Sequence, residues 1–187
     1  LKAPVEFVFA YGRNRDEDHA FFGAHNPNER FPILIEDEGH AVWETDAIAF
    51  RLSEITGSDF WRRDHAEVEM IKWASWTAYH FSRHADRAYF ERVVVPKFDN
   101  PWPPDEKAIA ADMEEFRQFA GVLDTVLKGR KWLVEDRLSY ADFRVATPLA
   151  FADEAQLPIA EFPQIMRWYG QLMEIEAWRD PFKGLQT

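Results

Sequence analysis

The chain contains no cysteine, which excludes a disulfide framework, a thiolate metal site and a cysteine nucleophile within these residues. Basic residues are scarce: 22 Lys and Arg stand against 33 Asp and Glu, a formal net charge of -11 at pH 7. A broad nucleic-acid surface needs clustered cations that displace counterions, so no nucleic-acid partner is expected. Arg62-Arg63 and Lys128-Gly129-Arg130-Lys131 are local basic patches, read most simply as solvated helix ends. No apolar run is long enough to span a bilayer and no secretory h-region opens the chain, so no membrane partner is expected and a cytoplasmic setting fits. The chain opens at Leu1 rather than Met, and something is expected to precede it.

What is present describes a folded, aromatic-rich protein. A hydrophobic fraction of 47% over 187 residues can bury a real core, as one large domain or two small ones. Val5 to Phe9 alternates as a half-buried strand does. Asp16 to His25 reads as a charged loop giving way to a short helix with Phe21 and Phe22 inward. Pro32 to Ile35 is a compact apolar strand. Glu36-Asp37-Glu38-Gly39-His40 supplies turn chemistry, with Gly39 free to take positive φ, and Ala41 to Trp43 makes the returning strand. Thr45 or Asp46 is placed to cap a helix that carries Ile48, Leu52 and Ile55 on one face and stops at Gly57.

From about Asp64 onward only helices are expected. Residues 65 to 95 form a long aromatic-rich segment, bent near Arg83 to Asp86 and ended by Pro96. Asn100-Pro101-Trp102-Pro103-Pro104 is a loop. Ile109, Met113, Phe116, Ala120, Leu123 and Leu127 step by four and three, a helix stripe that Gly129 ends. Ser139 and Pro163 open shorter helices, the second burying Ile165, Trp168 or Tyr169, and Leu172. The organisation is a small mixed α/β domain, a linker near 57 to 64, and a larger all-helical domain.

The stretch from Asn26 to Ile48 carries the chemistry. A cis bond at Phe31-Pro32, which costs an X-Pro peptide only about 0.5 to 1 kcal/mol, would turn the Phe31 amide and carbonyl outward to pair with an extended peptide. A trans proline starting an edge strand is the commoner outcome for the residue type alone. Glu44-Thr45 shifts that balance, because a helix N-terminus and a hydroxyl favour a ligand carboxylate while Glu44 can accept from an ammonium. Ordinary capping by Thr45 is compatible with both. Ser139-Tyr140-Ala141-Asp142 is a capping box with aspartate in the third position, worth roughly 1 kcal/mol, and not a hydrolase dyad. His80 and His84 share a helix face but lack a third ligand, and His84 with Asp86 reads as solvated, so no metal is expected. Of eight tryptophans, most belong to the core. A few facing a crevice would make an apolar pocket.

Asn26-Pro27 through Phe31-Pro32-Ile33-Leu34, then Glu44-Thr45-Asp46-Ala47-Ile48, then Ser139-x-Ala141-Asp142 together resemble the cytosolic glutathione transferase superfamily over almost the whole chain. The resemblance implies α/β plus all-α architecture: a thioredoxin-like glutathione-binding domain over residues 1–57, N-terminally incomplete, and an all-helical C-terminal domain over 64–187, as a homodimer. It implies that the Phe31 backbone pairs with the cysteinyl part of glutathione beside Pro32. Glu44 and Thr45 would hold the γ-glutamyl end, and Arg30 would help hold the tripeptide. Trp76, His80 and Trp178 would line the pocket for a small hydrophobic electrophile, Ser139 and Asp142 being a structural cap. Thr45 stands where the family more often has serine, Phe31 where it often has Val or Ile, and Glu29-Arg30 where it often has Gly-Lys or Gly-Gln.

Family members begin with a strand and helix that carry the Tyr, Ser or Cys acting on the glutathione sulfur. This chain starts near the second strand, so that residue is expected upstream of Leu1 and conjugation by these 187 residues alone is expected to be weak. The chemistry implied is thiolate attack: a thiol of pKa about 8.5 must be deprotonated, and each unit of lowering is about 1.4 kcal/mol. Glutathione is thus a co-substrate. The alternatives are a glutathione-dependent disulfide reductase or dehalogenase, or a non-catalytic interaction module like the N-terminal part of elongation factor 1 gamma or the stringent starvation proteins.

Overall fold

The computed structural model describes residues 3–8 and 15–183. They form two compact units, one ending at Trp61 and the other spanning Arg62–Lys183.

In the first unit a helix, α1 (Arg15–His25), precedes a two-stranded antiparallel sheet of β1 (Ile33–Ile35) and β2 (Ala41–Trp43). Phe21 and Phe22 are half-buried, and Phe22 meets Phe31 with ring centroids 5.9 Å apart. The turn closes through Glu36 and His40, whose backbones bond at 2.9 Å, while Gly39 adopts φ 80°. Arg51 then ties this turn to α2 (Thr45–Thr56), donating from Nε to Glu36 Oε1 at 2.6 Å. Hydrogen bonds from His40 and Arg51 hold the Glu36 carboxyl below its ordinary range.

Helix α2 departs from the expected face. Its buried positions are Ala49 and Ser53, one turn apart, whereas Ile48 and Leu52 are half-buried and Ile55 is exposed. Ser53 earns burial through hydrogen bonds: its Oγ donates to Ala49 O at 2.9 Å and accepts from Trp61 N at 3.2 Å. Gly57 ends the helix at φ 62°, as a left-handed cap should. The strand expected over Val5–Phe9 is not met in Val5–Val8, which are irregular and exposed; Phe9 lies outside the described residues. Alternation marks which face a strand would bury, but a strand exists only where a neighbour completes the ladder. Among the described residues β1 and β2 pair only with each other.

The second unit opens with one long helical run. A 3-10 turn (Asp64–Ala66) leads into α3 (Glu67–Trp76), a π turn (Thr77–Phe81), α4 (Ser82–Tyr89), a second π turn (Phe90–Val94) and a final 3-10 turn (Val95–Lys97). The departures from α geometry flank the Arg83–Asp86 stretch, which is itself regular α-helix. Each π turn shifts the helix register, so the buried side is not one 3.6-residue stripe.

Helix α5 (Glu106–Val126) follows, started by Asp105, whose carboxylate accepts from Ala108 N at 3.0 Å. Ile109, Met113, Phe116, Ala120, Leu123 and Leu127 are all buried, and Gly129 turns the chain at φ 71°. Phe116 stacks on Phe81 at 4.9 Å, fastening α5 to the first π turn. Helices α6 (Tyr140–Ala146), α7 (Pro163–Met173) and α8 (Glu176–Arg179) complete the unit. Ile165, Trp168 and Leu172 of α7 are fully buried and Tyr169 is half-buried. Asp124 on α5 accepts from Gln164 N at 2.7 Å and Ile165 N at 3.2 Å, so one helix supplies another's first-turn acceptor.

Candidate functional site

The hairpin decides whether Phe31-Pro32 and Glu44-Thr45, twelve residues apart, form one site. Ile33 pairs with Trp43, Leu34 with Val42 and Ile35 with Ala41. Extending this register by one residue sets Pro32 beside Glu44, and the Phe31-Pro32 peptide is cis. The two halves of the motif therefore converge at one end of the sheet, at the start of α2.

The approach to Phe31 is built by Asn26, which is only 3% exposed. Its Oδ1 accepts from Asn28 N at 2.9 Å, an Asx turn, and its Nδ2 donates to Arg30 O at 2.8 Å. One buried amide thus brackets Pro27 to Arg30 and fixes the direction in which the chain enters Phe31. Glu29 inside this loop takes φ 53°, and Arg30 is exposed, with Nη1 donating to Glu29 O at 3.2 Å. Sequence reasoning marked Asn26 as the motif's first residue without seeing that role. Its one signal was an Asn-Pro dipeptide, which marks a turn and leaves the partner unspecified.

Glu44 corrects the expectation that Thr45 or Asp46 caps α2. The N-cap is Glu44, at φ 71° and ψ 124°, and no side chain caps the helix. Thr45 is the first helical residue, and both Glu44 and Thr45 are exposed. A non-glycine residue at such a φ stores of order 1–3 kcal/mol, and held outliers of this kind concentrate at binding sites. Neither the Glu44 carboxylate nor the Thr45 hydroxyl caps the helix, and neither side chain has a protein partner among the described residues. What remains is an acceptor for a cation, a hydroxyl donor, and first-turn amides with the positive end of a helix dipole. That set complements an amino acid's ammonium and carboxylate.

The capping box at α6 has the opposite character. Ser139 and Asp142 are fully buried. Asp142 Oδ2 accepts from Ser139 N at 3.0 Å and Ser139 Oγ at 3.3 Å; Oδ1 accepts from Leu133 N and Trp168 Nε1, both at 3.0 Å. Burial pushes the carboxyl's pKa up against the opposing pull of these four donors. The structural role expected for the pair is present, and the links to Leu133 and Trp168 extend it across three segments.

The residues expected to line an electrophile pocket divide into two places. Trp76 is half-buried, stacked on Phe81 at 5.4 Å and edge-on to Phe119 at 6.4 Å. His80, in the first π turn, is exposed with its ring stacked on Phe119 at 4.8 Å. Trp178 instead meets Phe143 at 5.6 Å and Tyr169 at 6.4 Å, and among the described residues no ring contact joins it to Trp76 or His80. His84, expected in solvent with Asp86, is instead half-buried: it lies on Phe119 at 5.6 Å and faces Asp112 on α5 at 3.6 Å. No group of three metal-ligating side chains occurs among the described residues, and no described helix is long and apolar enough to cross a membrane.

Comparison with known proteins places this geometry. The profile described as Glutathione S-transferase, C-terminal domain, matches residues 81–176. The glutathione S-transferase GstB of Escherichia coli K12 is 31% identical over 185 residues, 96% of this chain and 86% of that protein. Human elongation factor 1-gamma is 27% identical over 174 residues, 90% of this chain but 37% of that protein. Among solved structures, the glutathione transferase URE2P5 of Phanerochaete chrysosporium superposes with a TM-score of 0.80 at 25% identity, over 95% of this chain and 82% of that one. The fold is accordingly a thioredoxin-like N-terminal domain followed by an all-helical C-terminal domain. With the helical half matched by the family profile and nearly the whole length aligned to an enzyme at 31% identity, the chain belongs to the glutathione S-transferase superfamily.

Proposed function

We propose that the chain works as a glutathione transferase, a cytoplasmic homodimer that binds glutathione and presents its thiolate to small hydrophobic electrophiles. Residues 1–57 form the glutathione-binding domain and 64–187 the helical domain. The observation that carries the reading is Glu44 held at φ 71° beside Pro32, leaving α2 without a side-chain cap. In this reading the Phe31 backbone pairs with the cysteinyl residue, Thr45 and the first amides of α2 receive the γ-glutamyl carboxylate, and Glu44 its ammonium. Arg30 balances the remaining carboxylate. Trp76 and His80 serve the electrophile side, and Trp178 is held by Phe143 and Tyr169. The protein's part in the chemistry is to position the sulfur against the electrophilic carbon and exclude competing geometries.

A second reading, a non-catalytic interaction module, is supported by the likeness to elongation factor 1-gamma. The two are separated by measuring melting temperature with and without millimolar glutathione, and conjugation to a dinitrohalobenzene. A ligand that binds only the native state must raise the melting temperature, by about 2.7 kcal/mol of stability at a hundredfold excess over Kd. A rise is expected, together with conjugation that is weak from these 187 residues alone. An unmoved melting temperature sinks the transferase reading, and a rise with no conjugation even when a family strand and helix carrying the thiol-activating residue are joined ahead of Leu1 favours the module.

A further inference from the structure

The loop that leads into Phe31 is tied down on a second side, away from Asn26. Glu29 takes φ 53°, a left-handed conformation in which glycine is at ease and a longer side chain is strained. Its N–H donates to Asn26 O at 2.9 Å, which closes the turn. Its side chain runs back to α1, where Oε2 stands 2.5 Å from His19 Nδ1. On the way it crosses above Gly23, where a Cβ would lie 3.6 Å from Glu29 Oε1 and 3.7 Å from Cγ.

Stability does not account for this pair. The His19 and Glu29 side chains are 44% and 46% exposed, and ion pairs in that setting contribute little to folding, while the positive φ works against it. What the pair fixes is a direction. The Glu29 carbonyl accepts from Arg30 Nη1 at 3.2 Å, so the residue that His19 holds by its side chain itself holds the Arg30 guanidinium by its main chain. Arg30 has no carboxylate partner among the described residues. A guanidinium with donors to spare is shaped to take a carboxylate in paired hydrogen bonds.

We propose that His19 and Glu29 form a positioning latch: by holding the 27–30 loop to α1 they set where Arg30 stands, and with it the preference for a ligand that ends in a free carboxylate. This rests on the proposed glutathione reading, in which Arg30 balances the carboxylate that Thr45 and α2 leave over. It adds two residues that act through Arg30 without touching the ligand.

The test compares glutathione with its glycyl ethyl ester, which loses that carboxylate and keeps the rest, by calorimetry on the full chain. Wild type is expected to bind glutathione about tenfold tighter than the ester, the size of a charge-assisted hydrogen bond. Arg30→Gln should erase the preference. His19→Ala should reduce it to about threefold, as loss of an exposed ion pair would, with glutathione weakened and the ester unmoved. Glu29→Ala should do the same, and the double variant no more, since the two act as one. A preference that survives Arg30→Gln, losses that add in the double variant, or equal losses for both ligands overturn the proposal; the last is what a merely structural role would give. Amide exchange of residues 28–30 is read on the same proteins without ligand. Faster exchange in His19→Ala is expected, and unchanged exchange removes the latch whether or not glutathione binds. Wild type that binds neither ligand defeats the transferase reading, and the carboxylate preference with it, while the exchange result still decides the latch.

Discussion

Helices α2 and α6 begin with similar letters, Glu44-Thr45-Asp46 and Ser139-Tyr140-Ala141-Asp142, and the structure treats them in opposite ways. At α6 both side chains of the box turn inward: Ser139 and Asp142 are buried, and the carboxylate accepts four hydrogen bonds. At α2 the N-cap residue is held at φ 71°, no side chain caps the helix, and Glu44 and Thr45 stand in solvent. The first start is finished by the protein itself. The second leaves an acid, a hydroxyl and first-turn amides open at the cost of backbone strain, which is what the proposed glutathione site calls for.

The comparison can be broken most forcefully at Asp142. Asp142→Ala would strand the amides of Leu133 and Ser139 and the indole N–H of Trp168 in the core, at about 1–3 kcal/mol each before relaxation. A loss of about 3–5 kcal/mol in urea unfolding is expected. A loss under 1 kcal/mol would mean α6 does not depend on its box.

Matched hydroxyl deletions sharpen the contrast. Ser139→Ala should cost about 1 kcal/mol of stability and leave glutathione affinity unchanged. Thr45→Ala should change stability by less than about 0.5 kcal/mol while weakening glutathione about tenfold, read by calorimetry. Equal stability losses at both positions would erase the distinction.

Glu44→Gly tests the strain directly. Glycine tolerates positive φ, so relief of 1–3 kcal/mol set against its entropic cost of roughly 0.5–1 kcal/mol should leave the fold about 1 kcal/mol more stable, with weaker glutathione binding. A destabilised variant would show that Glu44 is not strained at a cost to the fold.

The smallest effect is in pH. Burial raises the Asp142 carboxyl above its ordinary 3.8, so the folded chain holds this proton more tightly than the unfolded one. The group's contribution is fully present below pH 3.8 and is lost as pH rises through the raised folded value. The stability of wild type relative to Asp142→Asn should therefore fall across that window and level off above it. A difference that grows with pH would show the four donors outweighing burial.

Much of the helical unit was legible because its determinants are local. The α5 stripe needs only spacing by three and four, and the Ser139–Asp142 box closes within one turn. The elements misread depend on distant neighbours. Val5–Val8 alternates but lacks a ladder partner among the described residues; Ser53 displaces Ile55 from the buried face because Trp61 supplies its donor. His84, expected in solvent, is half-buried and faces Asp112 on another helix. Two π turns shift the register of the 64–97 run, and no residue type announces a π turn.

At the candidate site, residue types were readable and their arrangement was not. The sequence by itself determined that an X-Pro loop, an acid and a hydroxyl occur in order, that α6 carries its own cap, and that the remainder is helical, since each follows from local bonding and periodicity. Only the tertiary structure decided that Pro32 lies beside Glu44, that Asn26 brackets the Pro27 to Arg30 loop leading into Phe31, and that Glu44 is strained instead of Thr45 capping. Those outcomes depend on strand register and on which buried donors find acceptors, and both are set by residues far apart along the chain.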